Sequence, residues 1–258
     1  MIRRMFISSI VLTVVVSVAL GLAYPILMTG IGKVLFPSKV NGSLITEHGK
    51  VVGSSLLGQE FLDTKGNPDP KYFQPRPSAA GLGYDPLASS ATNLGPGDPR
   101  LVGFIPGFNA VGLDGQPSKT NPFATKDDPY CVPTDPDGLA VTAPAAGQKY
   151  AKNKDGSYAC YSSTVPERAA AYRELNGLSA KAVVPNDAVT ASGSGLDPAI
   201  SVANADLQAP RVAKARHLSV STVKQQIRDH TASRPFGFLG EDTVNVLELN
   251  LALDKIGS

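Results

Sequence analysis

A long uncharged segment at the N-terminus constrains this chain more than any other feature. No residue between positions 5 and 32 carries a formal charge, and residues 6–28 are dense in Ile, Val, Leu and Ala. About 20 such residues are enough for a helix to cross the hydrocarbon core of a bilayer. The segment 6–28 therefore predicts a transmembrane helix, with residues 1–5 before it and residues 29–258 beyond it.

The charges that flank this segment predict its orientation. Arg3 and Arg4 precede it, whereas Lys33 and Lys39 follow it more loosely. The positive-inside rule then keeps residues 1–5 in the cytoplasm and exports the rest of the chain. A cleavable signal peptide is the alternative, because Gly-Leu-Ala at 21–23 offers the small residues of a cleavage site. The apolar run continues well past that site, which favours an uncleaved single-pass anchor.

One face of the predicted helix carries small residues. Ser9, Thr13, Ser17 and Gly21 recur every four positions, and residues four apart share a helix face. Small side chains let another membrane helix approach closely. We interpret this face as a packing surface for a partner helix, although such residues are also common in membrane helices in general.

The exported part predicts one mixed domain of helices and strands. Short β-like runs around a Gly-containing turn in 41–61 predict a hairpin, and the Pro-, Gly- and Ser-rich stretch 68–99 predicts ordered loops and turns. Helical patterns occupy 168–178, 203–216 and 219–230. The predicted fold class is therefore α+β: one N-terminal transmembrane helix followed by a single mixed α/β extracytoplasmic domain. Residues 102–164, which are loop-like, predict an insertion in that domain.

Two of the helical segments are ambiguous. Pro210 falls inside 203–216, and a proline in a helix interior removes a hydrogen bond, so a kink or break is expected there. The apolar run 244–253 fits strand alternation and helical spacing almost equally well, because a short apolar run is not settled by its period. We favour a helix in this run, with Asn245 as a possible cap.

The chain contains two cysteines, Cys131 and Cys160, and both fall in the predicted insertion. In an oxidising compartment they predict one disulfide, with two unpaired thiols as the alternative. Two cysteines cannot supply a four-ligand zinc site without histidines, and the three histidines show no metal-binding spacing. No metal site is predicted.

Charge and motif content weigh against several classes of function. Lys and Arg total 24 and Asp and Glu total 22, so the net charge of +2 gives no electrostatic reason to expect a nucleic-acid partner. The chain has no Walker A, Gly-x-Gly-x-x-Gly, Gly-x-Ser-x-Gly or His-Glu-x-x-His motif. Asp-Thr-Lys-Gly at 63–66 has the wrong order for the phosphorylated motif of P-type pumps and is interpreted as a turn. No catalytic residue is predicted.

Several short motifs follow one another in a characteristic order. They are Asn-Gly-Ser-Leu-Ile at 41–45, Val-Gly-Ser-Ser-Leu-Leu-Gly-Gln at 52–59, Arg-Pro-Ser-Ala at 76–79, Thr-Ala-Ser-Gly-Ser-Gly-Leu-Asp-Pro at 190–198, Arg-Val-Ala-Lys-Ala-Arg at 211–216 and Leu-Asn-Leu-Ala-Leu-Asp at 249–254. In these motifs the sequence is similar to the C subunit of the Kdp potassium-transporting ATPase of bacteria. The resemblance covers nearly the whole chain except 102–164, where most members are expected to have a shorter link.

The resemblance implies an accessory, non-catalytic subunit of an ATP-driven potassium-uptake pump in the bacterial inner membrane. Its partners would be a channel-like potassium-binding subunit and a P-type ATPase subunit, in contact with membrane lipid. The family is described as a catalytic chaperone that raises the ATP affinity of the ATPase subunit, so ATP is a possible ligand although the chain needs no cofactor of its own. A periplasmic domain cannot touch cytoplasmic ATP. The predicted topology therefore requires an influence through subunit contacts or at the potassium entrance.

Five polar residues of the matching motifs are candidates for a contact surface or a small-ligand site: Gln59, Arg76, Ser192, Asp197 and Asn250. Structural roles are the alternative, since Asp197 could cap a helix and Arg76 could bond loop carbonyls. If nucleotide binds directly, Gln59 is the first residue to test. A second class of function, a membrane-anchored periplasmic ligand-binding or sensor protein, would need an apolar pocket with a few convergent polar groups.

Overall fold

The structure is a computed structural model that describes residues 2–95, 98, 101, 104–105, 108–109, 119, 121–124, 131–133, 150, 152–154, 156 and 164–256. Most of the predicted insertion 102–164, including Cys160, lies outside the described residues. The chain divides into two compact units, Met1–Leu56 and Leu57–Ser258. Each unit is described by itself.

The first unit begins with a long apolar helix. Helix α1 (Ile2–Val18), a π-helical turn (Ala19–Ala23) and helix α2 (Tyr24–Leu35) follow one another without a break. Together they form one helix of 34 residues, and the most apolar 18-residue window of that helix has a mean hydropathy of 2.5. At a rise of 1.5 Å per residue its length is about 51 Å, against a hydrocarbon core of about 30 Å. The helix is long and apolar enough to span a membrane, and it extends past the predicted 6–28 at both ends.

The π-helical turn lies directly before a proline. Pro25 has no N–H to donate to the carbonyl of Gly21, four residues earlier, and its ring would crowd that carbonyl in a regular α-helix. In the structure the N–H of Tyr24 donates to the carbonyl of Ala19, five residues back. This single wider turn accommodates Pro25 and lets the helix continue into α2.

The rest of the first unit is a short helix, α3 (Pro37–Val40), and an antiparallel hairpin of β1 (Leu44–Glu47) and β2 (Lys50–Ser54). The turn residues His48 and Gly49 both have positive φ, 51° and 77°. A two-residue turn with positive φ at both positions matches the twist of the flanking strands. The hairpin predicted in 41–61 is confirmed.

Five short strands are described in the second unit. They are β3 (Phe104–Ile105), β4 (Phe108–Asn109), β5 (Ala199–Ser201), β6 (Thr231–Ala232) and β7 (Thr243–Asn245). Strands β3 and β4 pair with each other, and the other three form an antiparallel sheet in the order β5–β7–β6. The central strand β7 places Val244 in the core with no exposed surface.

Four helices are described in the second unit: α4 (Val165–Leu175), α5 (Val202–Ala215), α6 (Val220–Asp229) and α7 (Val246–Ile256). The side chains of Thr164, Ser201 and Ser219 accept hydrogen bonds from backbone N–H groups of the first turns of α4, α5 and α6. Such caps satisfy donors that the helix itself leaves unpaired. The three helices predicted before the C-terminal run are confirmed, each within a few residues of its expected start.

The ambiguous C-terminal run contains both of the elements that were weighed. Residues 243–245 form β7, and α7 begins at Val246. The Oδ1 atom of Asn245 accepts the N–H of Glu248 at 3.2 Å, which is the predicted cap. The expected break at Pro210 is absent: α5 runs unbroken through Pro210, which is exposed, so water can reach the carbonyl that the proline leaves without a donor.

The core of the second unit joins the helices to the sheet. Its large members are Phe73, Ile200, Val212, Val223, Ile227, Val244, Leu249 and Leu253. Each fully buried side chain of this kind contributes about 1.5–3 kcal/mol. Phe73 comes from the loop-rich stretch before α4 and has no exposed surface. Its insertion among the helices fixes the neighbouring loop, which leads to the candidate residue Arg76.

Candidate functional site

A buried row of polar side chains runs along α5. Asn204, Gln208 and Arg211 lie at spacings of four and three residues, so they share one face of the helix. Their relative exposures are 0%, 1% and 9%. Burial of polar groups is costly unless each finds a hydrogen-bond partner. The role of these three side chains therefore depends on which groups they bond.

Gln208 pairs with the backbone of the loop. Its Oε1 accepts the N–H of Gln74 at 2.8 Å, and its Nε2 donates to the carbonyl of Gln74 at 3.0 Å. The same Nε2 donates to Oδ1 of Asn204 at 2.9 Å. The amide thus holds Gln74 much as a neighbouring β-strand would.

Asn250, one of the predicted site residues, holds the preceding loop residue in the same way. Its Oδ1 accepts the N–H of Phe73 at 2.8 Å, and its Nδ2 donates to the carbonyl of Phe73 at 3.0 Å. Asn250 is fully buried on α7. Two side-chain amides from different helices therefore clamp residues 73 and 74. The polar atoms of Asn250 are directed at the chain's own backbone.

Arg211 closes the other end of the row. Its guanidinium donates to Oδ1 of Asn176 at 2.9 Å, to the carbonyls of Pro70 and Tyr72 at 2.8 and 2.9 Å, and to Oε1 of Gln208 at 2.7 Å. Burial lowers the pKa of Arg211 to about 10, so the group stays charged at neutral pH. Sequence reasoning did not single out Asn204, Gln208 or Arg211, although three polar residues spaced along one face of a predicted helix were a readable signal.

Asp187 and Tyr172 complete this network at the N-terminus of α5. The carboxylate of Asp187 accepts bonds from the N–H and Oγ of Ser201 at 2.7 and 3.0 Å and from Nδ2 of Asn204 at 3.1 Å. The phenol of Tyr172 donates to Oδ1 of Asn204 at 2.8 Å. Burial raises the pKa of Tyr172, which keeps the phenol a neutral donor. Every bond in this network joins parts of the second unit to one another.

Arg76 and Asp197, two of the predicted site residues, form an ion pair at the surface of the same unit. Nη1 of Arg76 lies 3.2 Å from Oδ2 of Asp197, and their side chains are 24% and 32% exposed. Oδ1 of Asp197 accepts the N–H of Ala199 at 3.0 Å, so this carboxylate caps the turn before β5 and not a helix. Tyr84 donates to the carbonyl of Arg76 at 2.9 Å, and burial raises the pKa of its phenol.

A glycine lets two loops meet beside this ion pair. The N–H of Gly58 donates to the carbonyl of Leu196 at 2.9 Å. A Cβ atom at Gly58 would overlap the ring of Tyr84 and lie 2.7 Å from the carbonyl of Asp197. Gln59 follows directly and is half-buried, whereas Ser192 is buried in the facing loop. Gln59, Arg76, Ser192 and Asp197 thus belong to neighbouring loops, while Asn250 lies apart on α7.

Two clefts flank Arg76. One encloses about 640 Å³ between a proline-rich loop and α4, which is in the size range of small-molecule sites. The other, of about 560 Å³, includes Asp187 and Asp197. In the described part of the chain no buried side-chain nitrogen or oxygen lacks a partner. The clefts therefore present no unsatisfied buried polar group to a ligand. Among the described residues no group of three or more His, Cys, Asp or Glu could hold a metal ion.

In the first unit, two residues of the predicted helix-packing face lie together. Ser9 and Thr13 line one shallow groove of about 230 Å³ on α1. Oγ of Ser9 donates to the carbonyl of Met5 at 2.9 Å, so the hydroxyl is satisfied within the helix. Ser17 follows on α1. Gly21 lies in the π-helical turn, where a Cβ atom would meet no atom within 4 Å outside the helix's own backbone. The role of this face in helix packing stays a prediction.

Cys131 is fully buried and disulfide-bonded in the structure. Its carbonyl accepts Nδ2 of Asn121 at 3.0 Å. Cys160 lies outside the described residues. The specific pairing of Cys131 with Cys160 therefore stays a prediction.

The structure combines an apolar helix that is long enough to span a membrane with an α/β unit whose buried polar groups bond one another.

Comparisons with known proteins point to one family. The KdpC family, described as "K+-transporting ATPase, c chain", matches residues 6–110 and 113–255. The Potassium-transporting ATPase KdpC subunit of Mycobacterium tuberculosis is 39% identical over 254 residues, which cover 98% of this chain and 100% of the relative. The subunit of that name from Koribacter versatilis is 35% identical over 252 residues, covering 98% and 95%. The one from Beijerinckia indica is 39% identical over 253 residues, covering 98% and 92%.

This chain belongs to the KdpC family of potassium-transporting ATPase subunits. The resemblance found in the sequence motifs is confirmed. The interruption between the two matched stretches, at 111–112, falls inside the predicted insertion 102–164.

Proposed function

We propose that this chain is an accessory subunit that assembles with the channel-like subunit and the P-type ATPase subunit of a potassium pump and stabilises their complex. The observation that carries this proposal is the closed polar network of the second unit. Gln208, Arg211 and Asn250 bond the loop at 70–74 and leave no buried polar group free in the described residues. Such a unit is suited to present a fixed surface to other proteins.

The alternative, a membrane-anchored ligand-binding or sensor protein, has less support. A ligand site needs polar groups that converge on the ligand and are available to it. In the 640 Å³ cleft, Gln208 is bonded to Gln74 and Asn204, and Tyr172 is bonded to Asn204. A ligand that bonded to Gln208 or Tyr172 would have to compete with these existing partners.

The proposed topology places the second unit outside the cytoplasm. Arg3 and Arg4, in the first turn of the apolar helix and before its uncharged stretch, support it through the positive-inside rule. Under this topology the subunit raises the ATP affinity of the ATPase subunit through contacts between subunits, without touching ATP itself. A reporter fused after Ser258 should be active only outside the cytoplasm. A reporter active in the cytoplasm would contradict the topology and reopen direct contact with ATP, with Gln59 as the first residue to replace.

Co-purification tests the proposed assembly. The full-length chain, tagged at its C-terminus and extracted from its host in mild detergent, should bring down the potassium-binding and ATPase subunits of the pump in fixed proportion. Mass spectrometry of the eluate identifies them. Recovery of the chain alone, under conditions in which the other two subunits stay associated, would contradict the accessory role.

A further inference from the structure

The loop that joins β6 to β7, residues 233–242 and here called the aromatic loop, presents apolar side chains to solvent. Phe236 is 86% exposed, Phe238 73% and Leu239 48%. Every residue of the loop is exposed. With roughly 200 Å² for each aromatic side chain, the three residues expose on the order of 400 Å² of apolar surface. Patches of this size on a protein surface are often functional.

The aromatic loop is held by specific bonds. At its neck the N–H of Arg234 donates to the carboxylate of Asp242 at 3.0 Å. At its tip the N–H of Leu239 donates to the carbonyl of Pro235 at 3.1 Å. The loop leads into β7, whose Val244 is fully buried in the core. These bonds keep the aromatic rings directed away from the core of the unit.

The backbone of Phe236 is strained. Its φ of 56° and ψ of 12° lie in the left-handed region, which is unfavourable for a bulky residue other than glycine. Conformations of this kind persist where the surrounding structure imposes them, and they cluster at functional positions. The ring of Phe236 touches Phe238, with centroids 6.4 Å apart, but it is not buried by the rest of the unit. A compensating contact is therefore expected from outside the unit.

The composition of the loop favours a protein over a lipid surface as that contact. Loops and helices that enter anionic bilayers carry clusters of Lys and Arg, and membrane interfaces are enriched in Trp and Tyr. The aromatic loop has one basic residue, Arg234, against Glu241 and Asp242, so it lacks the basic cluster that an anionic bilayer attracts. Aromatic residues surrounded by charged ones are instead typical of the centre and rim of protein interfaces.

The size of the patch narrows the choice of partner. About 400 Å² is roughly half of the 800 Å² that each side contributes to a standard interface, so the aromatic loop is too small to hold a freely diffusing protein by itself. A chain anchored in the same membrane as its partner meets it at a raised effective concentration, which makes a small second contact sufficient. The partner is therefore expected to be a membrane-embedded chain that also contacts the N-terminal helix.

We propose that the aromatic loop docks into an apolar recess, bordered by at least one basic side chain, on another subunit of the potassium pump. The basic border would pair with Glu241, which flanks the apolar tip, because the carboxylate of Asp242 is already paired with Arg234. This inference rests on the proposed function, because it takes the pump's other subunits as the available partners.

The variant Phe236→Gly separates docking from folding. Glycine removes the ring and adopts positive φ without strain, so the unfolding midpoint should stay the same or rise. Recovery of the pump subunits by the tagged full-length chain should fall about tenfold, as for a central interface residue. Phe238→Ser, which leaves the strained position untouched, should also lower the recovery. Val183→Ser is the matched control, because Val183 is an isolated apolar side chain that is 87% exposed.

The proposal is supported if Phe236→Gly and Phe238→Ser both reduce recovery of the pump subunits, while Val183→Ser recovers them within about twofold of the unmodified chain. Undiminished recovery with both Phe variants overturns it, as does an equal loss with Val183→Ser. If the unmodified chain recovers no pump subunit, the accessory function itself fails, which is a different result.

Photo-crosslinking identifies the surface that the loop meets. p-Benzoylphenylalanine placed at position 236 or 238 of the full chain, in membranes that contain the assembled pump, should crosslink to one other subunit. The same probe at position 183 serves as control. Crosslinks confined to lipid, or no crosslink at either loop position, would overturn docking on a protein.

Discussion

Asn250 is the predicted site residue for which the structure gives the sharpest expectation. Replacing it with alanine removes both hydrogen bonds to Phe73 and leaves the N–H and the carbonyl of Phe73 without partners in a fully buried position. Each buried group left unsatisfied costs about 1–3 kcal/mol, and the lost side-chain atoms leave a small cavity. We therefore expect Asn250→Ala to lower the free energy of unfolding by about 3–5 kcal/mol. That is a large part of the roughly 5–15 kcal/mol that stabilises a typical domain.

Urea unfolding of the full-length chain in detergent measures this change. The chain has no tryptophan and eight tyrosines, so near-ultraviolet circular dichroism of the tyrosines reports the loss of tertiary packing. Asn186→Ala is the matched control, since Asn186 is exposed and exposed substitutions usually change stability by less than about 0.5 kcal/mol. A loss below about 1 kcal/mol for Asn250→Ala would refute the reasoning from the two bonds.

The same variant decides between the two roles considered for Asn250. A structural role predicts that Asn250→Ala still assembles with the pump at low temperature, where most of the protein remains folded, and fails to assemble as it unfolds. A variant that is as stable as the unmodified chain yet does not assemble would make Asn250 a contact residue. The geometry, with both polar atoms bonded to Phe73, favours the structural role.

Four further predictions address other parts of the chain. Gly58→Ala should cost about 2 kcal/mol or more in urea unfolding, because its methyl group would overlap neighbouring atoms on two loops. Burial raises the pKa of Tyr84 in the folded chain, so above about pH 10 the unfolded chain loses this proton first and stability falls as the pH rises. Each such group contributes a loss of up to about 1.4 kcal/mol per pH unit. Tyr84→Phe should therefore make the loss of stability with rising pH less steep. Cys131→Ser should make the segment 102–164 more accessible to protease while leaving assembly and potassium transport intact. A Cys131–Cys160 disulfide closes a loop of about 30 residues, which contributes roughly 3–4 kcal/mol before strain is subtracted. Mass spectrometry of the unreduced chain should show that disulfide. Gly21→Ile should weaken co-purification of the pump subunits without preventing membrane insertion, because it adds bulk to the small-residue face of the helix.

These predictions have internal controls. Gly193→Ala is the counterpart of Gly58→Ala, since a Cβ at Gly193 meets no atom within 4 Å, and equal losses for the two variants would contradict the packing argument. Val15→Phe adds bulk on the opposite face of α1 and should leave co-purification unchanged. For Tyr84, an unaltered pH slope would contradict the assigned pKa shift. For Cys131, two free thiols that react with an alkylating reagent would contradict the bridge.

Local signals in the sequence were sufficient to predict the elements that have a clear capping residue, a clear turn or a clear hydrophobic pattern. The apolar helix, the hairpin around His48 and Gly49 and the cap Asn245 all follow from residue type and spacing. Of the kink or break expected at Pro210, the break is absent, because the decisive fact is not local. Pro210 faces solvent on the finished helix, so the lost bond can be replaced by water, and packing of the rest of α5 outweighs the local preference.

The sequence by itself determined what depends on neighbours along the chain: a membrane-spanning candidate, an α+β class, and motifs specific enough to indicate the family. Only the tertiary structure decided what the polar residues do. Gln208 and Asn250 bind backbone groups 134 and 177 positions away in the chain, and no spacing in a sequence reveals such pairs. The exposure of Phe236 was equally hidden, because a phenylalanine usually indicates a core position until folding shows that no part of its own domain covers it.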